Sequence, residues 1–81
     1  MDVRFYGRLG EQLGRQVEVE LPDGGCSVAE LRQILAGRYP EVGNDILSPR
    51  VRACEGDSIV AEDHRVNSEQ TVEFFPPVSG G

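Results

Sequence analysis

Polar and apolar residues alternate from the start of the chain. Val3 and Phe5 face one way and Arg4, Tyr6 and Arg8 the other, which is the two-residue period of a half-buried strand. Gly7 to Gly14 breaks that period. Leu9 and Leu13 are spaced for one short turn of helix that Gly14 can close. Val17, Val19 and Leu21 then alternate with Gln16, Glu18 and Glu20 in a second strand, which the turn Pro22-Asp23-Gly24-Gly25 ends, so the first two strands form a hairpin. Ser27 followed by Glu30 is a capping box, and Val28, Leu31, Ile34 and Leu35 behind it recur at helical spacing. Pro40 stops this helix at or before Tyr39, and Gly37 loosens its last turn. Residues 41–49 read as connection. Val51, Ala53 and Cys54 predict a third strand, Ile59-Val60-Ala61 a short fourth, and Thr71 to Phe75 the last, with Val72 and Phe74 facing the core. The order is ββαβββ, an α+β domain.

Composition narrows what such a domain can do. Its 81 residues make one domain, and a body this small hides only about 60% of its unfolded surface, which leaves little room for a deep catalytic pocket. An apolar share of 38% argues against disorder, while 10 Gly and 5 Pro imply short elements and many turns. A net charge of −6 with 8 basic residues makes nucleic acid a poor partner and favours a protein partner with a basic docking surface. The absence of a long apolar run points away from a membrane span or signal peptide and toward the cytoplasm. Cys26 and Cys54 match neither a redox pair nor a zinc set and read as free thiols.

The chemistry concentrates at the end of the chain. Four of the five aromatic residues form two pairs, Phe5-Tyr6 and Phe74-Phe75, on the first and last strands. Adjacent strand residues point opposite ways, so if Phe5 and Phe74 enter the core, Tyr6 and Phe75 emerge on the outer face. With the terminal strands side by side, Tyr6 and Phe75 make a patch beside the root of the tail, where a partner can dock. Pro76 and Pro77 then stiffen an extended segment that ends in Gly80-Gly81, and a glycine pair can enter a slot too narrow for other residues and present its α-carboxylate. Other candidates fail. His64 lies between Asp63 and Arg65 in a polar turn, Gly7-Arg8-Leu9-Gly10 follows a strand instead of joining two helices, and the acidic segments lack calcium-loop spacing. No metal site and no acid–base pair is expected.

Phe74-Phe75-Pro76-Pro77-Val78-Ser79-Gly80-Gly81 closely resembles the terminus of the MoaD-like sulfur carriers of molybdopterin synthase, within the MoaD/ThiS ubiquitin-like family. Phe5-Tyr6-Gly7-Arg8-Leu9-Gly10-Glu11 resembles that family's first strand and turn. Departures are Gly10 in place of a frequent arginine, Cys54-Glu55-Gly56 in place of a Val-Asn pair, and Glu69-Gln70 in place of a Gly-Asp turn. The resemblance implies a β-grasp fold over residues 1–76: a mixed sheet of about five strands curved around one main helix, its first and last strands central neighbours. Residues 77–81 are then a flexible tail. It also implies Tyr6, Ile59 and Phe75 as the partner-binding surface, with Pro76, Pro77, Val78, Ser79 and Gly80 threading a partner's active site.

Gly81 would carry the reacting carboxylate. An E1-like, MoeB-like adenylating enzyme activates it with ATP, a sulfur donor converts it to a thiocarboxylate, and a MoaE-like large subunit uses that sulfur on cyclic pyranopterin monophosphate. The chain itself binds no cofactor and is the sulfur-donating subunit, not a free-standing enzyme. Thiamin-pathway carriers also end in Gly-Gly without this aromatic lead, and archaeal ubiquitin-like modifiers can share it. Sulfur carriage for thiamin or tRNA thiolation, and conjugation of Gly81 to target lysines, therefore stand beside this reading.

Overall fold

The computed structural model describes residues 1–77. Its elements are β1 (Asp2–Phe5), α1 (Arg8–Leu13), β2 (Gln16–Glu18), β3 (Cys26–Ser27), α2 (Val28–Arg38), a 3-10 turn (Pro40–Val42), α3 (Gly43–Leu47), β4 (Arg52–Glu55), β5 (Ser58–Ile59), β6 (Arg65–Val66) and β7 (Thr71–Phe75). The main sheet runs β2-β1-β7-β4-β5, while β3 and β6 pair as a small second ladder. β1 and β2 form the expected antiparallel hairpin, and β1 lies parallel to β7 with Val3 opposite Val72 and Phe5 opposite Phe74. First and last strands are thus neighbours at the centre of the sheet.

The core follows from two periodicities meeting. Val3, Phe5, Val72 and Phe74 point from the sheet onto Val28, Leu31 and Leu35 of α2, and all seven are essentially sealed from solvent. Phe5 and Phe74 stack with ring centroids 5.8 Å apart. Burial of each such ring contributes on the order of 3–5 kcal/mol relative to alanine. α2 begins where its cap dictates: the Ser27 hydroxyl accepts from the Glu30 N–H at 3.1 Å and the Glu30 carboxylate accepts from the Ser27 N–H at 2.9 Å. The Ser27 N–H, with the Ser27 hydroxyl beside it, holds the Glu30 carboxyl below its ordinary pKa.

Three parts differ from the sequence expectation. Residues 41–49 are mostly helical, because Val42 and Ile46 bury one turn apart against α2. The regular ladder of β2 stops at Glu18, although Val19 still donates to the Met1 carbonyl at 2.9 Å. β3 and β6 are two-residue strands that no periodicity announces.

Arg32 is the largest surprise. It stands on α2 yet is only 4% exposed, its guanidinium donating to the carbonyls of Ile46, Ser48 and Val51 and to both oxygens of Glu62. It also lies 5.3 Å from the Phe74 ring centroid. One side chain thereby ties α2 to the end of α3 and the entry of β4.

Candidate functional site

Strand parity builds the site. Since Phe5 and Phe74 point inward, Tyr6 and Phe75 must point outward, and the Tyr6 N–H donating to the Phe74 carbonyl at 3.1 Å extends the parallel pairing far enough to fix them side by side. Their rings stack at 4.5 Å with planes 2° apart. Both remain exposed, Tyr6 at 37% and Phe75 at 36%. The Tyr6 hydroxyl donates to Glu73 at 2.5 Å, which locks the ring and, as the main cause, raises the phenol pKa.

Ile59, at 68% exposure, joins the same face: Cys54 of β4 pairs with both Ile59 and Glu73, so all three share an orientation. Ile59, Pro76 and Pro77 line an open groove of about 540 Å³ together with Arg50 and Arg52. Pro76 and Pro77 therefore leave the sheet beside Ile59. Gly7 seats its root, because at φ +66° a Cβ there would lie 2.7 Å from Cγ of Pro76. Gly10 is pressed on the Phe5 carbonyl, which a Cβ would approach to 2.7 Å.

The structure thus gathers Tyr6, Ile59, Phe75, Pro76 and Pro77 on one face. Val78, Ser79, Gly80 and Gly81 lie outside the described residues. What the sequence reading missed is the charge of this face. Arg15 lines the recesses beside Tyr6, and Arg50 and Arg52 line the groove beside Ile59. Arg52 was legible, since it precedes Ala53 at strand period and must point outward once Ala53 turns inward, whereas Arg50 lies in the turn before β4.

The thiols and the histidine supply no competing chemistry. Cys26 and Cys54 are free, and burial pushes both thiols up in pKa, Cys54 with a further push from Glu73, so neither is an activated nucleophile. His64 is not simply solvated as its sequence suggests. Its Nε2 lies 2.7 Å from Glu55, whose other oxygen accepts from Gln70, a polar brace between β4 and the turn before β7. Among the described residues no His, Cys, Asp and Glu side chains cluster as a metal site, and no helix is long and apolar enough to cross a membrane.

The fold recurs among solved structures. SAMP1 from Haloferax volcanii superposes with a TM-score of 0.78 at 26% identity, covering 99% of this chain and 97% of that one. A second crystal structure of that small archaeal modifier protein 1 gives 0.77 at 24%, covering 95% of each chain. A Pyrococcus furiosus protein provisionally designated molybdopterin converting factor, subunit 1, also gives 0.77, at 23% identity with 95% of each chain covered. A search of curated proteins returns no match. The model of the ThiS family matches residues 3–81. Sheet order, single main helix, aromatic face and end-to-end family match agree, and the chain belongs to the ThiS family as a MoaD/ThiS-like protein of ubiquitin-like β-grasp fold.

Proposed function

We propose that this chain is a sulfur carrier for molybdenum cofactor synthesis, its Gly81 carboxylate being the group that is charged and discharged. The observation that carries the proposal is the exposed Tyr6–Phe75 stack at the root of the Pro76-Pro77 segment. It is an aromatic anchor placed where any partner that receives the tail must touch. A carboxylate resists substitution, so ATP first converts Gly81 to an acyl adenylate in the site of an E1-like enzyme. Sulfide-level sulfur then displaces AMP and leaves a thiocarboxylate. In the large synthase subunit that sulfur bonds to cyclic pyranopterin monophosphate, and water then cleaves the Gly81 acyl–sulfur bond, leaving sulfur on the pterin and a carboxylate on Gly81; the partner supplies acid–base groups and pocket while this chain supplies sulfur, tether and docking face.

Incubation with ATP, the adenylating enzyme and sulfide tests the first half. Intact mass is expected to show one oxygen of the chain exchanged for one sulfur, and an unchanged mass would overturn the carrier reading. Phe75→Ala tests the docking face. Affinity for both partners is expected to fall by about 2 kcal/mol, the cost typical of a hot-spot aromatic, with thermal stability nearly unchanged. Equal affinity would remove the stack from the interface.

Protein modification is the second reading, favoured by the likeness to SAMP1. Both readings need the same activation, and they part at the acceptor. All eight basic residues are arginine, and the Met1 ammonium is buried, donating to the Val19 carbonyl at 2.8 Å. The chain thus offers a second copy no lysine. If Gly81 is found on target lysines in lysates, every conjugate is expected to carry single units. A ladder of chains linked copy to copy would refute this.

A further inference from the structure

We propose that the face around the tail is read by an acidic protein surface, and that Arg15, Arg50 and Arg52 are the residues that read it. The inference rests on the activation step above, which sulfur carriage and modification share, and not on the identity of the final acceptor. Net charge alone points the other way, toward a basic partner. The placement of the arginines reverses that expectation locally.

The remaining cations are mostly engaged elsewhere. Arg4 pairs with Asp2 at 3.1 Å, Arg32 with Glu62 at 2.9 Å and Arg65 with Glu30 at 3.5 Å. Arg38 donates to the Glu18 carbonyl and lies over Tyr39. Arg15, Arg50 and Arg52 are exposed, and among the described residues their side chains make no hydrogen bond and no ion pair, in a chain with 14 acidic residues to choose from. All three border the apolar patch, two beside Ile59, Pro76 and Pro77 and one beside Tyr6. Among the described residues the acidic groups of this face are Glu73, engaged by the Tyr6 hydroxyl, Asp2, paired with Arg4, Glu18 opposite Asp2 at the far edge of the sheet, and Glu11 near Arg15.

Unpaired guanidinium groups around a hydrophobic centre form a polar rim, and a guanidinium fork fits a carboxylate in two parallel hydrogen bonds. The occupant that complements them is a protein whose tail-receiving site is edged by Asp and Glu. Rim charges act chiefly on encounter, so their signature is the association rate and its salt dependence.

The test is stopped-flow binding of the full chain to the purified adenylating enzyme. Relative to the native chain, R50E/R52E is expected to associate about tenfold more slowly or worse at low salt and to lose most of the salt dependence, while R50K/R52K stays near native. Phe75→Ala is expected to raise the dissociation rate instead, which separates rim from anchor. Native association rates in R50E/R52E would overturn the proposal, as would binding of ATP or inorganic phosphate to the carrier alone through these arginines. If the native chain itself fails to bind the enzyme, the activation step falls and takes this inference with it, a result distinct from equal binding by both chains.

Discussion

Gly80→Val is expected to fold like the native chain and to lose sulfur delivery by about a hundredfold or more, the scale on which a displaced reacting group costs an enzyme. Among the described residues the last member of the core is Phe74, and β7 ends at Phe75. A branched side chain next to the terminal residue widens the strand that must pass through the partner and removes glycine-only backbone torsions. The measurement is pterin conversion by the large subunit supplied with chemically made thiocarboxylate, which bypasses activation. Near-native conversion would mean that the passage is wide and that the glycine serves some other end. Deleting Gly81, or extending the chain beyond it, is expected to abolish transfer in the same assay, because the activated carbonyl is lost or becomes an ordinary amide.

Arg32→Met is expected to lower the unfolding free energy by about 3 kcal/mol or more. Methionine fills much of the same space but leaves the carbonyls of Ile46, Ser48 and Val51 without their donor. A buried polar group stripped of its partner costs roughly 1–3 kcal/mol. In a domain whose whole stability is about 5–15 kcal/mol, such a change is large. The shift in urea midpoint measures it, and a loss below about 1 kcal/mol would show that backbone adjustment or water replaces the guanidinium. Glu62 is half-exposed, so Glu62→Gln is expected to cost far less.

How much of this was legible depends on whether the signal was local. β1 and β7 were, because alternation over four or five residues states both the strand and its buried face. α2 was, because Ser27 and Glu30 mark its start and Pro40 bounds its end. The outward placement of Tyr6 and Phe75 followed from parity alone. α3 was missed because everything after Pro40 up to residue 49 read as connection, although Val42 and Ile46 already stood one turn apart. β3 and β6 have two residues each, too few for any period. For Arg32, nothing in its sequence neighbours announces three carbonyls arriving from residues 46, 48 and 51. The basic rim was hidden by averaging: a net charge sums over a surface that the fold divides.

The place of β7 in the sheet has a consequence for synthesis. This last strand lies between β1 and β4, so until it arrives β2-β1 and β4-β5 are two separate ladders. Residues 2 and 71 must meet before the centre closes, which makes completion a late, non-local event in folding. A chain truncated before Phe75 therefore lacks the terminal glycines and also the strand that assembles the outer face. Copies that stop before the last strand cannot dock on the partners, because the strand that leads into the tail also completes the docking face.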